Sequence, residues 1–137
     1  MALGLTIRIV DPDDDYLGIE ICASNERFSG SARIYSGLDE LSAFAAVIAG
    51  FPLNAGDKRV YEFASREPSA AGGYCSLSFH SVDRSDRAVV EVDIGGDGKM
   101  ETAHLSFRVE PAAVDRFTTA LRGIESRFGE TLLPAAG

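Results

Sequence analysis

Six stretches of this chain carry apolar residues at every second position, and two others carry them at every third or fourth. The first spacing is that of a half-buried strand and the second that of an amphipathic helix. Leu3, Leu5, Ile7 and Ile9 alternate with Gly4, Thr6 and Arg8. Leu17, Ile19 and Ile21 alternate with Gly18, Glu20 and Cys22, and Phe28, Gly30, Ala32 and Ile34 follow. In the second half the strands are Cys75–Leu77–Phe79, Val90–Val92–Ile94 and Ala103–Leu105–Phe107–Val109, with a further strand expected near Val60–Phe63. Polar turns fall between them at Asp11–Asp15, Asn25-Glu26 and Asp97-Gly98, and a loop rich in Ser, Ala, Gly and Pro at Ser65–Gly73.

The helices are expected near residues 38–49 and 111–128. Leu41, Phe44, Ala45 and Ile48 form one apolar stripe, entered through Ser36-x-x-Asp39 as a capping box and ended at Gly50. Val114, Phe117, Leu121, Ile124 and Phe128 form the other, opened by Pro111 and closed by Gly129. The expected fold is α+β, a largely antiparallel seven-strand sheet with both helices on one face, in the order βββα-ββββα. Leu41, Phe44, Ile48 and Gly50 fall opposite Val114, Phe117, Leu121 and Gly123. Halves 1–50 and 57–129 are therefore similar, either by internal duplication or because amphipathic helices share one grammar. Residues 1–131 are expected to form one domain, with 132–137 as a loose tail.

The turns fix trial registers. Pairing Ala23 with Phe28 puts Ile21 opposite Gly30, Ile19 opposite Ala32 and Leu17 opposite Ile34. Pairing Val82 with Arg87 and Gly96 with Lys99 aligns Phe79, Val90 and Leu105, then Leu77, Val92 and Ala103. A slip of one residue would send these side chains to the wrong face.

The 137 residues suit one hydrophobic core. A net charge of −8 with scattered Lys and Arg argues against nucleic acid, which needs a basic stripe. No run approaches membrane-spanning length, and MALGLTIRIV lacks the basic-then-apolar pattern of a signal peptide, so the expected compartment is the cytoplasm.

No catalytic or metal site, and no cofactor, is assigned. Asp11, Asp13 and Asp15 begin like a calcium loop, but Tyr16 and Cys22 stand where glycine and glutamate belong. Ser78, Glu91 and His104 align in the trial register, yet a triad needs the histidine in the middle. Glu91 and His104 then read as a cross-strand pair. His80 and His104 lie on one polar face but diagonally two strands apart, and even with Glu91 as a third ligand they match converging zinc ligands poorly. Cys75 falls in an apolar phase and Cys22 in a polar one, so no disulfide joins them.

Phe28-x-Gly30 precedes Gly37-Leu38-Asp39-Glu40-Leu41-x-x-Phe44, and Gly72-Gly73-Tyr74 leads into Leu77-x-Phe79, with Val114-x-x-Phe117 in the last helix. This pattern, which spans nearly the whole chain, resembles the WapI-type bacterial immunity family and its uncharacterised relatives. The resemblance implies a non-enzymatic protein that neutralises a cognate toxin by binding it. The alternative is a sensor or enzyme that holds a small molecule or anion on the polar sheet face. Extending the first register pairs Ile7 with Ile19 and places Arg8, Gly18 and Arg33 in one row beside Tyr16 and Tyr35, a notch in which two guanidinium groups flank a bare backbone and could grip a carboxylate or phosphate. Tyr16, Tyr35, Cys22 and Val89 on that face, with uncovered edge strands, also point to a homodimer.

Overall fold

The computed structural model describes residues 3–12, 15–64, 72–82, 88–97, 100–124 and 129–136. Among them the chain forms β1 (Gly4–Pro12), β2 (Leu17–Ser24), β3 (Ser29–Ser36), α1 (Glu40–Ile48), β4 (Lys58–Phe63), β5 (Tyr74–Ser81), β6 (Ala88–Gly95), β7 (Thr102–Val109), α2 (Pro111–Ile124) and β8 (Glu130–Pro134). The α+β class and the antiparallel pairing agree with the sequence reading. The sheet does not: the strands form two four-stranded sheets, ordered β3-β2-β1-β8 and β4-β5-β6-β7. Alternation shows which face of a strand is buried but not which neighbour continues the sheet. The inward faces of both sheets and the stripes of both helices meet in one core, which includes Ile7, Ile19, Phe44, Phe79, Val92, Phe117 and Leu133.

The expected loose tail is also corrected. Leu132–Pro134 belongs to β8, which pairs with β1 through Leu5↔Leu133 and Ile7↔Thr131. Leu133 is fully buried, while Leu132 points outward and is 38% exposed. The strand runs only from Glu130 to Pro134, and Leu132 beside Leu133 hides its alternation.

The two sheets are built alike. Replacing each strand by the one four places along turns β3-β2-β1-β8 into β7-β6-β5-β4. The pairings follow: Ile7↔Ile21 becomes Leu77↔Val92, Ile19↔Ile34 becomes Val90↔Phe107, and Leu5↔Leu133 becomes Cys75↔Phe63. The buried helix positions Leu41, Phe44, Ala45 and Ile48 match Val114, Phe117, Thr118 and Leu121. The repeating unit is therefore β-β-β-α-β, over residues 4–63 and 74–134. The halves read from sequence, 1–50 and 57–129, assign β4 to the wrong unit and stop before β8. The fourth strand of each unit crosses over, β4 to pair with β5 and β8 with β1.

Of the four trial registers, three are off by two residues. Ala23 faces Gly30, because Asn25 closes a longer turn: its N–H donates to Phe28 O (2.9 Å), and its Oδ1 accepts from the N–H of Arg27 and Phe28 (2.8 Å each). Gly95 faces Thr102, with the Gly96 N–H on Glu101 O at 3.0 Å, so Val90 meets Phe107 and not Leu105. Ile7 faces Ile21 and not Ile19, and the β1–β2 pairing is bulged between Ile9 and Asp11. The β5–β6 pairs, Phe79↔Val90 and Leu77↔Val92, are as expected. The Ser36 capping box is absent: Ser36 ends β3, its Oγ is buried without a partner, and α1 starts after Asp39 with no side-chain cap.

One crossing positions the candidate site. β3 passes over the ends of β5, β6 and β7, where Gly73 N–H donates to Arg33 O at 2.9 Å. A Cβ on Gly30 would lie 3.0 Å from Ile94 Cγ2 and 3.2 Å from Ala103 Cβ, and one on Gly73 would lie 2.4 Å from Gly95 O. Only residues without side chains allow the two sheets this close.

Candidate functional site

The outer face of the first sheet holds the residues singled out from sequence, in a different arrangement. Arg8 pairs with Glu20, and Glu20 with Arg33. Arg8 also faces Glu130 of β8. The row is therefore Arg33, Glu20, Arg8, Glu130, alternating in sign. Arg8 Nη2 lies 2.6 Å from Glu20 Oε1. Gly18 is elsewhere, opposite Tyr35 and the bulged Asp11, whose Cβ would come within 2.6 Å of any side chain begun there. The bare gap between two arginines does not exist: Glu20 stands between them and pairs with Arg8. Tyr16 and Tyr35 do meet, edge to face, with ring centroids 5.9 Å apart and the Tyr16 hydroxyl 3.3 Å from Asp11 Oδ2.

On the second sheet, Ser78 faces Glu91 as expected, but Glu91 faces Ser106, and His104 faces Asp93. The Ser78–Glu91–His104 row and the Glu91–His104 pair both disappear with the two-residue shift. His80 faces Val89. Among the described residues no three His, Cys, Asp or Glu side chains group as metal ligands. Asp13 and Asp14 of the aspartate run, and the Gly98-Lys99 turn, lie outside the described residues.

Both thiols are held protonated. Burial, then the carboxylate of Glu20, raises the Cys22 pKa, and burial, then Asp93, raises that of Cys75.

The feature that the sequence reading missed is a groove of about 370 Å³ where β3 crosses the β6–β7 hairpin. One wall is Ser29, Gly30 and Ser31, and the other includes Asp97, Glu101 and Thr102. Because Arg33 O accepts from Gly73, the backbone of Arg33 points away from β2. Antiparallel pairing alternates, so Ser29 and Ser31 also turn their N–H and C=O groups away from β2. Asp97 Oδ1 accepts the Gly72 N–H at 3.2 Å, which ties the hairpin wall to the strand entering β5. Phe28 and Met100, next in the chain to Ser29 and Glu101, are 62% and 91% exposed. The small-residue run Ser29-Gly30-Ser31-Ala32 was the available signal for a close crossing.

The equivalent crossing in the other sheet keeps a smaller groove, of about 270 Å³, partly bridged by the chain itself. There β7 passes the β2–β3 turn, Asn25 Nδ2 donates to Ser106 O (2.9 Å), and the Ala136 N–H donates to Arg108 O (2.7 Å). An extended piece of polypeptide, Ala135–Ala136, thus bridges Leu3 O and the edge of β7.

No protein-family model and no curated protein matches this chain.

Proposed function

We propose that this chain is a binding protein that acts by protein–protein contact and carries out no chemistry of its own. The supporting observation is the groove at the β3 crossing, whose walls are strand backbone, small hydroxyl residues and a hairpin. Such a lining suits an extended polypeptide, which brings its own repeating N–H and C=O groups. The resemblance to the WapI-type immunity family supplies a partner class, a cognate toxin neutralised by occlusion. The competing anion-binding reading required an empty position between Arg8 and Arg33, where Glu20 stands.

The test is affinity capture from the native host with mass spectrometry, followed by reconstitution from purified components. A stoichiometric complex with one protein is the expected result. A purified chain that turns over a substrate, or retains a small molecule and no protein, overturns the proposal.

A further inference from the structure

We infer that the partner engages this protein by adding an extended, Lys- or Arg-bearing segment to the edge of β3 at Ser29–Ser31, which has no neighbouring strand on that side among the described residues. This rests on the protein-binding reading and names its site and chemistry. Ser29 and Ser31 direct their backbone groups away from β2 on the wall of the groove, two residues apart, the repeat at which an added antiparallel strand offers its own donors and acceptors. Beyond them, Arg33 O is already taken by Gly73 N–H. The open edge is thus short, which restricts the added strand to a few residues.

The facing wall gives the sign of the partner. Asp97 and Glu101 stand across the groove from Ser29 and Ser31, and the chain as a whole carries −8. Side chains of an added strand alternate between its two faces, so one face meets these carboxylates and selects cations. In the other sheet the outer edge of β7 does accept chain, where the Ala136 N–H donates to Arg108 O, at the position that matches Tyr35 of β3.

The probe is a fluorescein-labelled, end-blocked peptide of about eight residues, a common strand length, alternating Lys and Thr. A Glu–Thr peptide is the control. The Lys–Thr peptide is expected to bind, more weakly as salt rises, and the control not to bind. Ser31→Pro removes the outward N–H, and because that group faces away from β2 the β2–β3 ladder survives. It is expected to weaken binding about tenfold. Asp97→Asn with Glu101→Gln is expected to weaken binding to a similar degree and to flatten the salt dependence. Should Ser31→Pro fail to fold, hydrogen exchange on the wild type carries the same test, because the bound peptide must slow exchange of the Ser31 amide.

Absence of binding at millimolar peptide overturns the inference. So does equal binding of both peptides, or an unchanged Ser31 amide in the bound state. A light-scattering mass of two chains that falls to one in Ser31→Pro would show that a second copy holds this edge, and would overturn it as well. A captured protein partner that binds both variants as tightly as wild type would leave the protein-binding reading intact and place its site elsewhere.

Discussion

Replacing Leu133 by Ala tests whether the C-terminal strand is part of the core. Leu133 is fully buried opposite Leu5, in the place that Phe63 occupies opposite Cys75 in the other sheet. The substitution removes three carbons, at about 0.8 kcal/mol each, or about 2.4 kcal/mol of transfer free energy. Partial collapse of the cavity raises the expected loss to about 3–4 kcal/mol. That is a large fraction of the stability of an ordinary domain, about 5–15 kcal/mol. The neighbour Leu132 points outward, so Leu132→Ala is expected to cost about 0.5 kcal/mol or less. Equilibrium urea unfolding of the two variants beside wild type gives both values, and thermal melts should show Leu133→Ala lower by about 10 °C. A tail lying loose on the surface would make the two variants alike. A loss below about 1 kcal/mol for Leu133→Ala would therefore refute the pairing of β8 with β1.

Arg59 grips both carboxylate oxygens of Asp57 (3.0 and 2.9 Å) and donates to Val47 O and Ala49 O at the end of α1 (3.0 and 2.8 Å), so Arg59→Ala should destabilise by about 2–3 kcal/mol in urea titration, and Arg59→Lys by less. The Arg59 hydrogen bonds hold the Asp57 carboxyl below its ordinary value of 3.8, against the cost of burial. Its contribution to stability is therefore complete above that value and lost as pH falls through the lower folded one. The stability gap between wild type and Asp57→Asn should shrink as pH falls below 3.8, and a gap that widens there would contradict the assignment. Alkylation by iodoacetamide at neutral pH should be slow at Cys22 and should reach Cys75 only on unfolding, as counted by mass spectrometry with and without urea.

Of the registers that the turns suggested, β5–β6 was right, and β2–β3 and β6–β7 were off by two residues, as was the extension that paired Ile7 with Ile19, all for one physical reason. A two-residue slip leaves every side chain on its original face, so Ile19 is as well buried against Ile34 as it would be against Ala32. Alternation forbids odd slips and is blind to even ones. The Asn25 side chain, which caps its own turn, and the bulge between Ile9 and Asp11 decided between them. The candidate notch depended on that choice: one step of two residues puts Glu20, and not Gly18, between Arg8 and Arg33.

Local pattern was enough to determine the α+β class, seven of the strands, the stripe of α1, and that of α2 from Val114 to Ile124 (Phe128 lies outside the described residues). It also determined the buried faces of β1, β2, β3, β5, β6 and β7, apart from the exposed Leu3 and Phe28, because burial periodicity is written residue by residue; the faces of β4 were ambiguous in the sequence. The match of Leu41, Phe44 and Ile48 to Val114, Phe117 and Leu121 was legible for the same reason. Only the tertiary structure decided that the sheet divides in two, that β4 and β8 change places, and that β3 crosses the β6–β7 hairpin. Those outcomes depend on contacts between residues far apart in the chain, Leu5 with Leu133 and Gly30 with Ile94 and Ala103. The groove at that crossing belongs to the same class. Its edge groups are backbone atoms that every residue carries, and they become distinctive only where the fold leaves them without a neighbouring strand.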